Sequence, residues 1–292
     1  MGLPLVSIGM PVFNAERTIE SAIRSVILQS FHDWELLAID DGSSDRSCEI
    51  LRRFGDPRIR VVRDHAHDGL PQRLNLAIAM SRGRYFARMD SDDVCYPDRI
   101  QFQLQFLETH PDVDLVGGAV MVFGDQGLAR GKRAVPSRHR EICRRPWAGF
   151  PLPHPTWMGK KEWFERHLYR PFIRCEDQEL LLRTYRSSCF ANVDRIILGY
   201  REQRIRLRRV IRGRRSWVCA LWAEPAGTIS ACRAVGGTIE QIAKGMVDTL
   251  AVASGLEKSI LCHRAQSVTW AENAAWNDVW ASLSADGPRA LA

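Results

Sequence analysis

The chain of 292 residues contains no C-x-x-C pair, although it has eight cysteines, at positions 48, 95, 143, 175, 189, 219, 232 and 262. Thiols scattered in this way argue against a structural zinc site and a disulfide framework, and they suit a reducing compartment. Also missing is any uncharged apolar run near the ~18 residues that a membrane-spanning helix needs. The most apolar late stretches are interrupted by Glu224, Asp248 and Glu257. The opening MGLPLVSIGMPVF has neither a basic leader region nor a cleavage site, so it reads as a strand and the expected location is cytoplasmic. Net charge is absent from most of the chain. Residues 201–215, REQRIRLRRVIRGRR, hold eight arginines and one glutamate, which leaves 33 basic and 33 acidic side chains elsewhere. The overall charge of +7 is therefore local. With 45% apolar and 26% charged residues, the remainder can bury an ordinary core.

What is present is an alternation of short apolar runs and helical periodicity. LVSIGM (5–10), WELLAID (34–40), RIRVVRD (58–64) and RYFARMD (84–90) read as strands. Between them, Ile19, Ala22, Ile23, Val26 and Ile27 share one helix face, and so do Leu70, Leu74, Ala77 and Ile78. Ser43 or Ser44 is placed to cap an intervening helix that carries Ile50, Leu51 and Phe54. This order predicts an α/β fold, a mostly parallel sheet flanked by helices. A helix carrying Ile100, Gln103, Leu104 and Leu107 and a strand at 114–123 follow. Residues 125–160 read as loops, then helices at 160–167 and 177–187 and strands near 189–193 and 196–200. Past the arginine run two amphipathic helices are expected. One carries Ile239, Ile242, Ala243, Met246 and Leu250; the other carries Val268, Ala275, Trp276, Val279 and Leu283.

Ligands of open α/β sheets bind beyond the carboxyl ends of the strands. Three polar clusters fall there: Pro11, Phe13, Asn14 and Glu16 after the first strand; Asp40-Asp41-Gly42-Ser43 after the second; and Asp90-Ser91-Asp92-Asp93 after the fourth. Each alone is ordinary turn and cap chemistry. Residues two apart in an extended segment point the same way, so Asp90 and Asp92 can face one ligand. Carboxylates so close repel unless a cation intervenes, and hard oxygen donors suit Mg²⁺ or Mn²⁺. A solvated helix N-terminus is the plainer alternative for this cluster.

The segments VSIGMPVFNAERTIESAIRSVILQSFHDWELLAIDDGSSD and SRGRYFARMDSDDVCYPDRI resemble glycosyltransferase family 2, the inverting nucleotide-sugar enzymes of the GT-A fold, over roughly residues 4–200. The resemblance implies that Pro11, Phe13, Glu16 and Asp41 bind the nucleoside. It implies further that Asp90 lies by the ribose and diphosphate and that Asp92, in the D-x-D motif, is the metal ligand, with Mn²⁺ or Mg²⁺ as cofactor; Asp93 receives no firm role. FIRCEDQELLLRTYR is similar to the family's E-D motif, which makes Asp177 the catalytic base and Glu176 the next candidate or an acceptor contact. His154, in PLPHPTWMG, stands where the family often has a histidine near sugar or pyrophosphate. It could join the metal, donate to phosphate, contact the acceptor, or only pack a loop. Trp157 and Trp163 read as core or loop packing, with sugar platforms as the alternative.

The resemblance implies a catalytic domain at 1–200, with a nucleotide-sugar half at 1–124 and an acceptor half at 125–200. A basic segment (201–215) and a helical extension (216–292) follow. The expected reaction moves one sugar from a nucleoside diphosphate sugar, by default a UDP-sugar, to a carbohydrate or lipid-linked acceptor in cell-envelope polysaccharide, lipopolysaccharide or other glycoconjugate synthesis. The Q-x-x-R-W sequence of processive members is absent, which favours single or few additions. A nucleotidyltransferase would need a glycine-rich basic loop after the first strand, and PVFNAE is not one. A nucleic-acid-binding protein acting through the arginine run lacks aromatic-basic interleaving. No nucleic-acid partner is therefore expected. The arginine run is expected to give peripheral contact with an anionic membrane at its inner face. The C-terminal helices are expected to pack on the catalytic unit or to form a homodimer.

Overall fold

Residues 2–64, 66–172, 174–202, 207–223, 228–256 and 265–284 are described by a computed structural model. Strands β1 (Val6–Val12), β2 (Trp34–Asp41), β3 (Ile59–Asp64) and β4 (Tyr85–Arg88) pair in parallel in the order β3-β2-β1-β4. Every residue of β2 is buried, as near-continuous apolar runs covered on both faces should be. The connecting helices α1 (Ile19–Ile27), α2 (Ser47–Arg53) and α3 (Leu70–Met80) bury the expected stripes. One local expectation fails, because α2 begins at Ser47 rather than after a Ser43 or Ser44 cap. Ser43 Oγ instead accepts the Asn14 N–H at 3.0 Å, and the Ser44 N–H donates to Asn14 Oδ1 at 2.9 Å.

The second half continues the sheet with mixed pairing. It comprises β5 (Val94–Cys95), α4 (Arg99–Thr109), β6 (Leu115–Phe123), β7 (Ala129–Arg133), α5 (His139–Ile142), a 3-10 turn at His154–Thr156, β8 (Met158–Lys160), α6 (Lys161–Arg166), α7 (Glu176–Thr184) and β9 (Phe190–Arg201). Thus β7, α5 and β8 occupy much of the stretch expected to be loop. β8 sits antiparallel between β4 and β6, while β6 and β9 run parallel. The two strands expected at 189–200 are one, β9, whose register on β6 slips between Gly118 and Val120. The sheet order is β3-β2-β1-β4-β8-β6-β9-β5, with β7 added on β6. Trp157 and Trp163 are buried packing residues.

Among the described residues three helices follow: α8 (Leu207–Ala223), α9 (Ala231–Ala253) and α10 (Trp270–Ser284). Most of the arginine run is helical, its residues 203–206 lying outside the described part, and α8 crosses the expected division at 215/216. Trp276, Val279 and Leu283 of α10 pack on Val94, Tyr96, Met121 and Phe123, so this helix docks on the sheet. Gly199 makes the contact possible, since a Cβ there would lie 2.3 Å from the Trp276 ring. α9 is oriented differently from the expectation. Its buried residues are Ala234, Gly237, Gln241, Asp248 and Ala251, whereas Ile239, Ile242, Met246 and Leu250 are exposed. The cause is α8: Arg214 bonds Asp248 at 2.6 Å and Gln241 at 2.8 Å, and Gly237 leaves room for the Leu221 side chain of α8 and the Trp147 carbonyl.

Candidate active site

The carboxyl ends of β1 and β2 carry two turns that lock together. Asn14 adopts a left-handed conformation (φ 49°), which asparagine tolerates better than most residues. Its neighbours add further bonds: Ala15 N–H to Ser47 Oγ at 2.7 Å and Glu16 N–H to Asp45 Oδ2 at 2.9 Å. Glu16 pairs with Arg46 at 3.3 Å, and Pro11 lies within β1 opposite Ile39. Phe13 projects from this platform half exposed, its ring stacked 4.1 Å from that of His67. Asp41, at the end of β2, is buried and accepts from Arg73 Nε at 2.6 Å and from the backbone N–H groups of Asp68 and Gly69. His67 Nδ1 lies 2.8 Å from its other oxygen. A rigid aromatic and acidic wall results.

β4 stops at Arg88, so Asp90, Asp92 and Asp93 lie on the loop beyond it, their carboxylate oxygens within 4.8 Å of one another. Asp93 is buried and accepts the Arg201 N–H at 2.9 Å, while its Oδ2 has no hydrogen-bond partner. Arg201 also donates from Nε to the Asp92 carbonyl at 2.8 Å, so the end of β9 fastens the acidic loop. Asp92 keeps access to solvent, yet the surrounding walls displace much of its water. That burial and the charge of Asp90 push its carboxyl up to about 6. An oxygen-only donor set, mutual repulsion and an unpartnered buried oxygen are what a divalent cation would relieve, so these residues fit Mg²⁺ or Mn²⁺.

A second group forms where α7 begins. One ligand atom from each of His154, Glu176 and Asp177 lies within 4.8 Å of the others. Burial and the neighbouring Asp177 charge raise the Glu176 carboxyl to about 7. Burial also raises Asp177, against which Gln178 donates to its Oδ2 at 3.2 Å. Both acids sit in the first turn of α7, where the helix dipole favours negative charge. His154 is buried, its Nε2 is 2.8 Å from the Tyr169 hydroxyl, and burial with Arg88 nearby holds it neutral, well below its usual range.

Arg88 is the residue that sequence reasoning missed and that joins the two groups. It is 2% exposed, its Nη2 lies 2.5 Å from Asp90 Oδ1, and its charge favours ionisation of Asp92, Asp93, Glu176 and Asp177 alike. The available signal was its place two residues before Asp90 in an extended segment, hence on the same face. Tyr169, His67 and Arg73 carried no comparable signal. The cleft itself is a cavity of about 1060 Å³ that Phe13 and Asp41 share with Glu176 and Gln178, and α8 closes one side with Arg209, Arg212 and Trp217. That wall was also not foreseen.

A parallel half-sheet β3-β2-β1-β4 continued by mixed strands, with helices on its faces, is a GT-A type fold. Residues 7–168 match the profile described as glycosyl transferase family 2, and the chain belongs to that family. Over 137 residues it is 36% identical to the Bacillus subtilis (strain 168) protein EpsE, named as a glycosyltransferase; the match covers 46% of this chain and 49% of EpsE. The chain therefore spans about half the length of that relative. Over 103 residues it is 38% identical to WfgD of Escherichia coli, named as a UDP-Glc:alpha-D-GlcNAc-diphosphoundecaprenol beta-1,3-glucosyltransferase, covering 35% of this chain and 41% of WfgD. The fold resembles that of the mannosyltransferase PcManGT from Pyrobaculum calidifontis in complex with GDP-Man and Mn²⁺. The TM-score is 0.59 at 14% identity, over 99% of this chain and 89% of that one.

Proposed function

We propose that this chain transfers one sugar from a nucleoside diphosphate sugar, of the UDP-sugar class, to an acceptor hydroxyl with inversion at the anomeric carbon. The acceptor is a carbohydrate or lipid-linked glycan of the cell envelope. The observation that carries this reading is two acidic groups, Asp90–Asp93 and Glu176–Asp177, with the buried Arg88 acting electrostatically on both. The activity for which WfgD is named supports the donor and acceptor classes, and the Mn²⁺ of PcManGT supports the cofactor class.

In this reading Phe13 and Asp41 hold the base and ribose, with Pro11 and Glu16 shaping the turn. Asp90 lies by the ribose and diphosphate, and Asp92 holds the cation. Bound there, Mn²⁺ or Mg²⁺ would supply Lewis-acid charge to the diphosphate. Asp177 takes the acceptor proton on a carboxylate oxygen as the acceptor oxygen bonds the anomeric carbon. The bond from that carbon to the diphosphate oxygen breaks, and its electron pair leaves with the diphosphate. A carboxylate whose proton affinity is raised by burial is a stronger base for this step. Glu176 and neutral His154 line the acceptor side.

A thermal-shift screen of nucleotide sugars with and without Mn²⁺ tests the proposal. A cognate donor should raise apparent stability by ~2.7 kcal/mol at a hundredfold excess over its Kd, through mass action. The Asp92→Asn variant should lose the Mn²⁺-dependent part of that shift and keep its fold. No response to any nucleotide sugar, or an unchanged Mn²⁺ effect in the variant, would refute the donor or the metal assignment respectively.

A further inference from the structure

The outer face of α8 and α9 belongs to neither the cleft nor the core. On α9, Val235, Ile239, Ile242, Met246 and Leu250 recur at helical spacing and are 45%, 62%, 57%, 57% and 69% exposed. In a helix from a folded domain the apolar stripe normally faces the core. Here the small and polar stripe does, because Arg214 holds Asp248 and Gln241 inward. Between the helices runs an apolar groove of about 620 Å³, bordered by Ile211 and Val218 of α8 and by Ile242, Met246 and Leu250 of α9. At the far end of α8, Trp222 is 55% exposed and donates its indole N–H to Thr238 Oγ1 at 3.1 Å. An aromatic ring with one apolar body and one satisfied polar edge suits a lipid–water boundary.

The charge around this stripe has one sign. Arg208 and Arg215 are exposed two turns apart on one side of α8, next to Ile211. The two helices together carry seven basic and two acidic side chains. Both acids are already paired, Glu240 with Arg145 and Lys244, and Asp248 with Arg214. A large exposed apolar stripe marks an interaction site rather than an ordinary surface. A second copy of the same face would bring arginine against arginine with no spare carboxylate to receive it. An anionic lipid surface is complementary to both features.

We propose that the α8–α9 face is a membrane-docking surface, with α9 lying in the plane of an anionic leaflet and its Val235–Leu250 stripe entering the acyl boundary. Interfacial helices of this kind bury their apolar face by roughly 5–10 Å without spanning the bilayer. No helix among the described residues is long and apolar enough to cross a membrane. The arginines add attraction that fades over a Debye length of ~10 Å at 0.1 M salt. Arg214 and Gln241 border both the groove and the cleft, so docking would set the mouth of the cleft beside the lipid headgroups.

Binding of the full chain to vesicles tests this without donor or acceptor, so the outcome does not depend on the reaction proposed above. The wild type should co-sediment with phosphatidylglycerol vesicles and bind phosphatidylcholine vesicles at least tenfold more weakly. A double substitution Ile242→Ser with Met246→Ser, and separately Arg208→Ser with Arg215→Ser, should each lower partitioning onto phosphatidylglycerol at least tenfold. None of these side chains borders the cleft, and circular dichroism should be unchanged in both variants. A serine-stripe variant that partitions like the wild type would overturn insertion and leave only electrostatic adhesion. Failure of the wild type to bind phosphatidylglycerol would overturn the proposal. Combined with a concentration-dependent dimer that the serine stripe abolishes, that failure would assign the face to a second copy.

Discussion

Arg88 Nη2 lies 2.5 Å from Asp90 Oδ1, and the same guanidinium leaves Nε and Nη1 buried without hydrogen-bond partners. A buried cation with spare donors is costly unless surrounding carboxylates compensate it. Asp90 does so most strongly, followed among the carboxylates by Asp93 and Glu176, and the guanidinium stays charged despite its burial. The site is therefore balanced only as a whole.

Removing that charge should be expensive. Arg88→Met should destabilise the protein by about 3–5 kcal/mol, because it strands buried carboxylates without a counter-charge. Arg88→Lys should lose much less, since it restores the charge but not the fork that reaches Asp90. Urea midpoints of the two variants check this. Equal losses would mean that packing of the side chain, rather than its charge, is what the site requires.

For Asp177→Asn the expected outcome is a split between binding and turnover. Transfer should fall by about 10²–10⁴-fold, the usual contribution of a positioned general base. Donor affinity, measured by calorimetry with Mn²⁺ present, should stay within about twofold, as the amide preserves shape and the residue is not on the nucleoside wall. If Glu176→Gln lost the activity instead, the base would be reassigned to Glu176.

Glu176 also gives a pH signature. Its carboxyl is raised from 4.5 to about 7, so the folded state holds a proton that the unfolded state has already released. Its contribution is fully present below about 4.5 and is lost as pH rises through about 7. His154 works oppositely: its lowered value means that stability rises as pH approaches 6.5 from below. The difference between wild type and Glu176→Gln isolates the first effect. The stability of the wild type relative to that variant should fall steadily from pH 4.5 to pH 7. A flat difference would place the Glu176 carboxyl at an ordinary value.

The first half of the sheet was legible because its determinants are local. β1 to β4 are apolar runs covered on both faces, and the acidic residues sit at their ends by chain order alone. Arg88 was not legible, since nothing in a strand residue's identity states which charged groups from α7 will surround it. The arginine run misled in a specific way. Arg201 fastens the Asp92–Asp93 loop and Arg214 anchors α9, so two of its members serve the interior rather than the surface. Periodicity correctly marked a stripe on α9 but could not state which side of the helix meets protein. That was decided by Arg214, one helix earlier.

The Trp276–Gly199 contact should be the mechanical link between α10 and the site. Trp276 is fully buried, donates to the Gly127 carbonyl at 2.6 Å, and lies with its ring 4.7 Å from that of Phe123. Gly199 stands two residues before Arg201, the residue that holds Asp93. Trp276→Ala should cost about 3–5 kcal/mol, the usual range for emptying a buried aromatic site. Gly199→Ala should cost about 1–3 kcal/mol by overpacking, because its new methyl would strike the indole. Combining Gly199→Ala with Trp276→Leu should cost less than the sum of the single changes, since the smaller side chain vacates the space the methyl needs. Chemical denaturation of the four proteins gives the coupling, and donor titration of the same set shows whether the strain reaches the acidic loop. Additive losses would mean that α10 adjusts independently of β9, and the link to Arg201 would fail with it.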